Sequence, residues 1–138
     1  MREILFRGKG DKKYNDGMWY FGVPIRCYDG DWQICTDNSK RTVIPETIGQ
    51  YTGLADKNGT KIFEGDIIKY KNTDGIKFNG VALTVIGKVV YNEKNASFAI
   101  SGKDEIGAKY YDYFPIKNIE VIGNIHDDPE LLRGENNA

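Results

Sequence analysis

Residues 19–27 alternate with period two: Trp19, Phe21, Val23, Ile25 and Cys27 fall on one face of an extended strand, the pattern of a half-buried sheet. The step Asp29-Gly30 is a two-residue hairpin signal. It sets Cys27 opposite Trp32, Ile25 opposite Ile34 and Pro24 opposite Cys35, so the return strand repeats the apolar face and both tryptophans serve as core on one side of the sheet. Residues 2–6 read as an earlier strand, ended by the turn-rich stretch 8–17. Asp37-Asn38-Ser39-Lys40 marks another turn, and Thr42-Val43-Ile44 a short strand. Pro45-Glu46-Thr47-Ile48-Gly49 then places Pro first, Glu early and Gly last, which predicts one helical or 3₁₀ turn.

Residues 50–68, QYTGLADKNGTKIFEGDII, organise the centre of the chain. Asp56-Lys57-Asn58-Gly59 suits a type I turn followed by a left-handed residue, because Asp accepts local N–H bonds and Gly59 takes positive φ without a Cβ clash. Closure by Asp56 and Thr60 puts Leu54 opposite Ile62. A two-residue Asn58-Gly59 turn sets Leu54 against Phe63 instead, and the pattern prefers the first register without deciding it. Glu64-Gly65-Asp66 reverses the chain before the β-type residues 67–70. Residues 71–80 are polar and read as an exposed loop or hairpin extension. Residues 81–86 form a dense apolar strand, Gly87 suits a bulge or barrel corner, and 88–91 continue. Asn92-Glu93-Lys94-Asn95 reverses the chain again, pairing Tyr91 with Ala96, Val89 with Phe98 and Gly87 with Ile100. Residues 101–109 read as a loop carrying Asp104 and Glu105, Pro115-Ile116-Lys117-Asn118 as a short turn, and 119–125 as the last strand. Asp128 suits the N-cap of a short helical turn with Pro129 first, pinned by Leu131 and Leu132, and residues 134–138 fray.

The expected fold is all-β. Two small β lobes, 1–49 and 50–138, form one compact unit; the second is an SH3-like or similar small barrel with a short C-terminal helical turn.

The stretch 50–68, preceded by Pro45-Glu46-Thr47-Ile48-Gly49 and followed by Ile119-Glu120-Val121-Ile122-Gly123-Asn124-Ile125-His126-Asp127-Asp128-Pro129-Glu130-Leu131-Leu132, resembles the YopX protein family of phages and prophages. The opening Met1-Arg2-Glu3-Ile4-Leu5-Phe6-Arg7 is similar as well, so the likeness spans nearly the whole chain. Where many members carry Ala or Trp soon after the opening Arg, this chain has Gly8-Lys9-Gly10, which leaves the first loop open. The resemblance implies a phage or prophage origin and an all-β fold, and it brings no active site.

Charge adds little. The 19 basic and 20 acidic residues nearly cancel, so nothing global points to DNA or an anionic membrane. Residues 1–60 hold 9 basic and 8 acidic, 61–117 hold 9 and 7, and 118–138 hold 1 and 5, a mildly positive middle and an acidic tail. No apolar run nears the ~18 residues of a membrane span, and the N-terminus lacks a signal-peptide apolar region, so the cytoplasm of a bacterial host is the expected location. Cys27 and Cys35 fall on opposite faces and about 10 Å apart along the strands, beyond disulfide reach. Two cysteines and one histidine also exclude a zinc finger or ribbon.

Three groupings bear on chemistry. His126-Asp127-Asp128 with Glu130 looks like a metal cluster, but Asp128 and Glu130 are better explained as helix-start residues beside Pro129. Asp56, Glu64 and Asp66 are close enough to suggest paired acids, yet a general acid needs a pKa raised by burial, which turn-tip carboxylates rarely have. Lys109-Tyr110-Tyr111-Asp112-Tyr113-Phe114, with Lys69-Tyr70-Lys71 and Lys88, could stack bases while lysines follow phosphates. Alternate tyrosines in a sheet more simply face the core. The expected function is therefore non-enzymatic: a phage or prophage accessory protein working through contacts with an unknown host or phage protein or as a homo-oligomer, without cofactor, metal, catalytic residues or membrane. The alternative is a weak single-stranded nucleic-acid binder using Lys69, Lys71, Lys109, Tyr110 and Tyr111.

Overall fold

The computed structural model describes residues 2–72, 82–114 and 116–133. It is all-β as expected, mostly antiparallel strands with two one-turn 3₁₀ helices among the described residues. The chain divides into two units, one ending at Gly53 and one beginning at Leu54.

The first unit holds β1 (Phe6–Lys9), β2 (Trp19–Arg26), β3 (Trp32–Cys35), β4 (Lys40–Val43) and most of β5 (Gly49–Ala55), in the order β4-β3-β2-β1-β5. β4 does not end this sheet as an open edge. Gly10 bridges Val43, the Ile44 N–H donates to the Lys9 carbonyl at 2.9 Å, and the Asp11 N–H donates to the Thr42 carbonyl at 3.0 Å. The sheet thus curls until β4 meets the segment following β1, which satisfies backbone groups that would otherwise recruit other chains. The 3₁₀ turn Pro45–Thr47 is fixed to β1 by Thr47, whose hydroxyl donates to the Ile44 carbonyl at 2.6 Å and accepts the Lys9 N–H at 2.8 Å. Ile34 and Val43 are the buried centre, and Gly8 leaves the room that the Val43 methyls fill.

Sequence and structure differ here in register. Cys27 and Asp31 close a three-residue loop, with Gly30 at φ +95°, so Arg26 faces Trp32, Pro24 faces Ile34 and Val23 faces Cys35. The expected two-residue turn is one residue too short. A slip of one residue exchanges the faces: Tyr20, Gly22 and Pro24 turn toward Ile34, while Phe21, Val23 and Ile25 are 47%, 58% and 42% exposed. Trp19 and Trp32 consequently lie on opposite faces, and the cysteines, both free, are four strand steps apart. The first strand is also displaced: β1 includes Gly8 and Lys9 and omits residues 2–5.

The second unit opens with the hairpin between β5 and β6 (Lys61–Phe63) and continues through β7 (Asp66–Asn72), β8 (Leu83–Asn92), β9 (Ser97–Asp104), β10 (Lys109–Tyr113) and β11 (Glu120–Asn124). Its five-stranded sheet has the order β10-β9-β8-β7-β11, with one irregularity between Val121 and Gly123. One face packs Ile68, Tyr70, Val85, Val89 and Ile100 with Ile62 and Ile119. The 3₁₀ turn Pro129–Leu132 follows, without a side-chain cap, because the Asp128 carboxylate accepts the Asn124 N–H instead of capping.

The Asp56 hairpin closes through Asp56 and Thr60 with Gly59 at φ +83°, the preferred reading of the sequence. Four other expectations need correction. β9 runs through Asp104, so most of residues 101–109 is strand, and only a short turn closed by Asp104 and Ala108 remains. The loop before it keeps Asn92 in the strand and takes Ala96 at φ +54°, which shifts the pairing by two: Tyr91 faces Phe98, Val89 faces Ile100 and Gly87 faces Gly102. An even shift preserves the faces, so the apolar pattern still fits. Gly87 is not a bulge, since both ladders run through it in register; a Cβ there would meet the Ser101 carbonyl oxygen at 2.6 Å. Of the expected loop 71–80, Lys71 and Asn72 belong to β7, paired with Thr84 and Leu83; residues 73–80, the strand start at Val81, Pro115 and the frayed tail 134–138 lie outside the described residues.

Candidate functional site

Acidic side chains are the groups of this chain that could carry acid–base catalysis. Contrary to the expectation for turn tips, Asp56, Asp66 and Asp104 are buried. Each accepts backbone N–H groups. Asp56 Oδ1 accepts N–H groups from Asn58 (2.8 Å) and Thr60 (2.9 Å), and Oδ2 accepts that of Val121 (2.9 Å), tying the hairpin to β11. Asp104 repeats the device: Oδ1 accepts from Ile106 and Ala108, and Oδ2 accepts the Tyr110 hydroxyl at 2.9 Å. Burial pushes both carboxyls up, but the hydrogen-bond donors around the anion outweigh it and hold both below the ordinary value. Asp66 accepts the Phe63 N–H at 2.7 Å. Carboxylates held ionised by fixed donors make poor general acids at neutral pH.

After β11, the Asn124 side chain accepts the His126 and Asp127 N–H groups and donates to Asp127 Oδ2 at 3.1 Å, while Asp128 turns back to Asn124. This is a turn network. Among the described residues no three His, Cys, Asp or Glu side chains stand where they could share a metal ion.

The lysines and tyrosines are sorted by the sheet of the second unit. Lys69 faces Ile86, Ile86 faces Lys103, and Lys103 faces Lys109, one cross-strand row on the side opposite the core. Lys88, Ser101 and Tyr111 form the adjacent row. Lys71 shares this face. Tyr111 and Tyr113 are 48% and 44% exposed, ring edge against ring face at 5.6 Å. Tyr110 turns to the other side, where its hydroxyl meets Asp104, and Tyr70 donates to Asp112. Burial, then Asp112, push the Tyr70 hydroxyl far above the ordinary tyrosine range.

Of the expected set, then, Lys69, Lys71, Lys109 and Tyr111 share one face and Tyr110 does not. Lys69 already stands 3.9 Å from Glu120, as does Lys57. Lys103 escapes a reading of the sequence because it falls in the supposed loop. The signal is present: Asp104-Glu105-Ile106-Gly107 repeats the spacing of Asp56-Lys57-Asn58-Gly59, so the strand should run up to Asp104. Lys88, Lys103 and Lys109 line a cleft of about 330 Å³ together with Ile86, Ser101 and Leu132.

The YopX protein family matches residues 8–133. The chain belongs to the YopX family. Comparison with curated proteins finds no match. Among solved structures, the crystal structure of protein EF1440 from Enterococcus faecalis is similar to this YopX-family chain, with 21% identity and a TM-score of 0.49 over 96% of this chain and 99% of that one. Among the described residues no helix is long and apolar enough to cross a membrane.

Proposed function

We propose that this YopX-family protein is a non-enzymatic phage or prophage accessory protein of the bacterial cytoplasm that works through protein contacts. The supporting observation is the stripe Phe21, Val23 and Ile25 on β2, three apolar side chains in a row on an exposed sheet face. Scattered exposed apolar residues are ordinary, whereas contiguous ones favour an interface. Val23→Lys should abolish homo-oligomers in light scattering, or the complex captured from induced cells, while leaving the thermal midpoint nearly unchanged. A wild-type chain that stays monomeric and captures nothing sinks the reading.

A second reading, single-stranded nucleic-acid binding, is favoured by one observation: five lysines and two exposed tyrosines share the outer face of the second unit's sheet. Oligo-dT should then bind at low salt and weaken steeply as salt rises. Tyr111→Ala should remove about 1–3 kcal/mol of binding. Absence of binding at low ionic strength ends this reading.

A further inference from the structure

We propose that the cleft beside the Pro129–Leu132 turn binds a small phosphorylated ligand of mononucleotide size, its phosphate held by Lys88, Lys103 and Lys109. The cleft, about 330 Å³, lies wholly within the second unit and falls at the small end of ligand pockets. Its lining is of two kinds: Lys88, Lys103, Lys109 and Ser101 are charged or polar, and Ile86 and Leu132 are apolar. That division suits a ligand with a charged head and an uncharged body.

The charge pattern argues for an anion. Lys103 and Lys109 are directly opposed across β9 and β10, and like charges so placed destabilise an antiparallel sheet. A neighbouring carboxylate would relieve the repulsion. Lys69, in the same row, has Glu120, but among the described residues Lys88, Lys103 and Lys109 form no ion pair. A dianionic phosphate would neutralise the cluster, and ammonium groups act on phosphate as compact point charges without demanding a fixed fork geometry. The site shares its face with the strand-binding reading but needs only these three lysines, and it does not depend on that reading.

Calorimetric titration at low ionic strength with pyrophosphate and with ADP, alongside oligo-dT, tests this. Both small probes should bind with Kd below about 1 mM. Lys103→Ala and Lys109→Ala should each weaken them about tenfold, as expected for loss of a charge-assisted contact. Lys71→Ala, on the same face but outside the cleft, should change binding by less than about twofold. Lys103→Met, which keeps the side-chain stem, replaces the alanine variant if that fails to fold. Binding of ADP without oligo-dT supports the cleft and removes the strand reading. Failure of both small probes overturns the proposal, even if oligo-dT binds, and so does an equal loss in Lys71→Ala.

Discussion

Gly22→Ala is expected to cost the first unit about 3 kcal/mol or more, read as a shift of the urea midpoint. A Cβ at this position would stand 2.0 Å from the Cys35 carbonyl oxygen and 3.3 Å from the Ile34 side chain. Neither the β3 backbone nor Ile34, which is fully buried, can yield without opening the ladder between β2 and β3. Folded domains of this size are stable by only about 5–15 kcal/mol, so this loss is a large share of the total. Gly30 is the internal control. It sits at φ +95° with nothing within 4 Å of a hypothetical Cβ, so Gly30→Ala meets only the left-handed penalty of about 1–2 kcal/mol. If the two substitutions cost the same, the close approach of β2 to Cys35 is wrong.

Asp56→Ala should destabilise the second unit by about 3 kcal/mol, because it strips an anionic acceptor from three N–H groups on two separate elements. Asp56→Asn keeps the shape but offers one acceptor oxygen and points an amide at a donor, and should cost about 2 kcal/mol. The pH dependence separates charge from shape. The folded-state pKa lies below the ordinary value of 3.8, so in acid the unfolded chain binds a proton more readily than the folded one. Stability from the anion is therefore fully present above about pH 5 and is lost as pH falls through the folded value. The gap between wild type and Asp56→Asn, measured by denaturant unfolding, should be widest near neutrality and shrink toward about pH 2.5. A gap that grows in acid would contradict the assignment of three donors to one carboxylate. Asp104, built the same way, should follow the same course.

The turns were legible where chemistry is local. Asp56 and Gly59 announce their hairpin because a carboxylate that accepts its own downstream N–H groups and a glycine at positive φ need nothing from the rest of the fold. The β2–β3 turn was less legible because Asp29-Gly30 fits a two-residue loop and the second half of a three-residue one equally well. Only the packing of Pro24 and Gly22 against Ile34 decides between them. The alternation of Trp19, Phe21, Val23 and Ile25 identifies a strand with two unlike faces but not which face is covered, since burial is set by the partner strand. The candidate site follows the same logic. Lys69, Lys71 and Lys109 could be grouped from sequence because they border aromatic runs, whereas Lys103 joins them only once β9 is known to extend to Asp104.

The hydrogen bonds that carry β4 back to Gly10 and Asp11 restrict how copies of this protein could assemble. With that margin occupied, ribbon-like growth by strand addition finds no purchase there, and association through Phe21, Val23 and Ile25 would have to be flat against flat. Stacked pairs of that sort consume their own contact area and stop, giving finite particles in place of fibres.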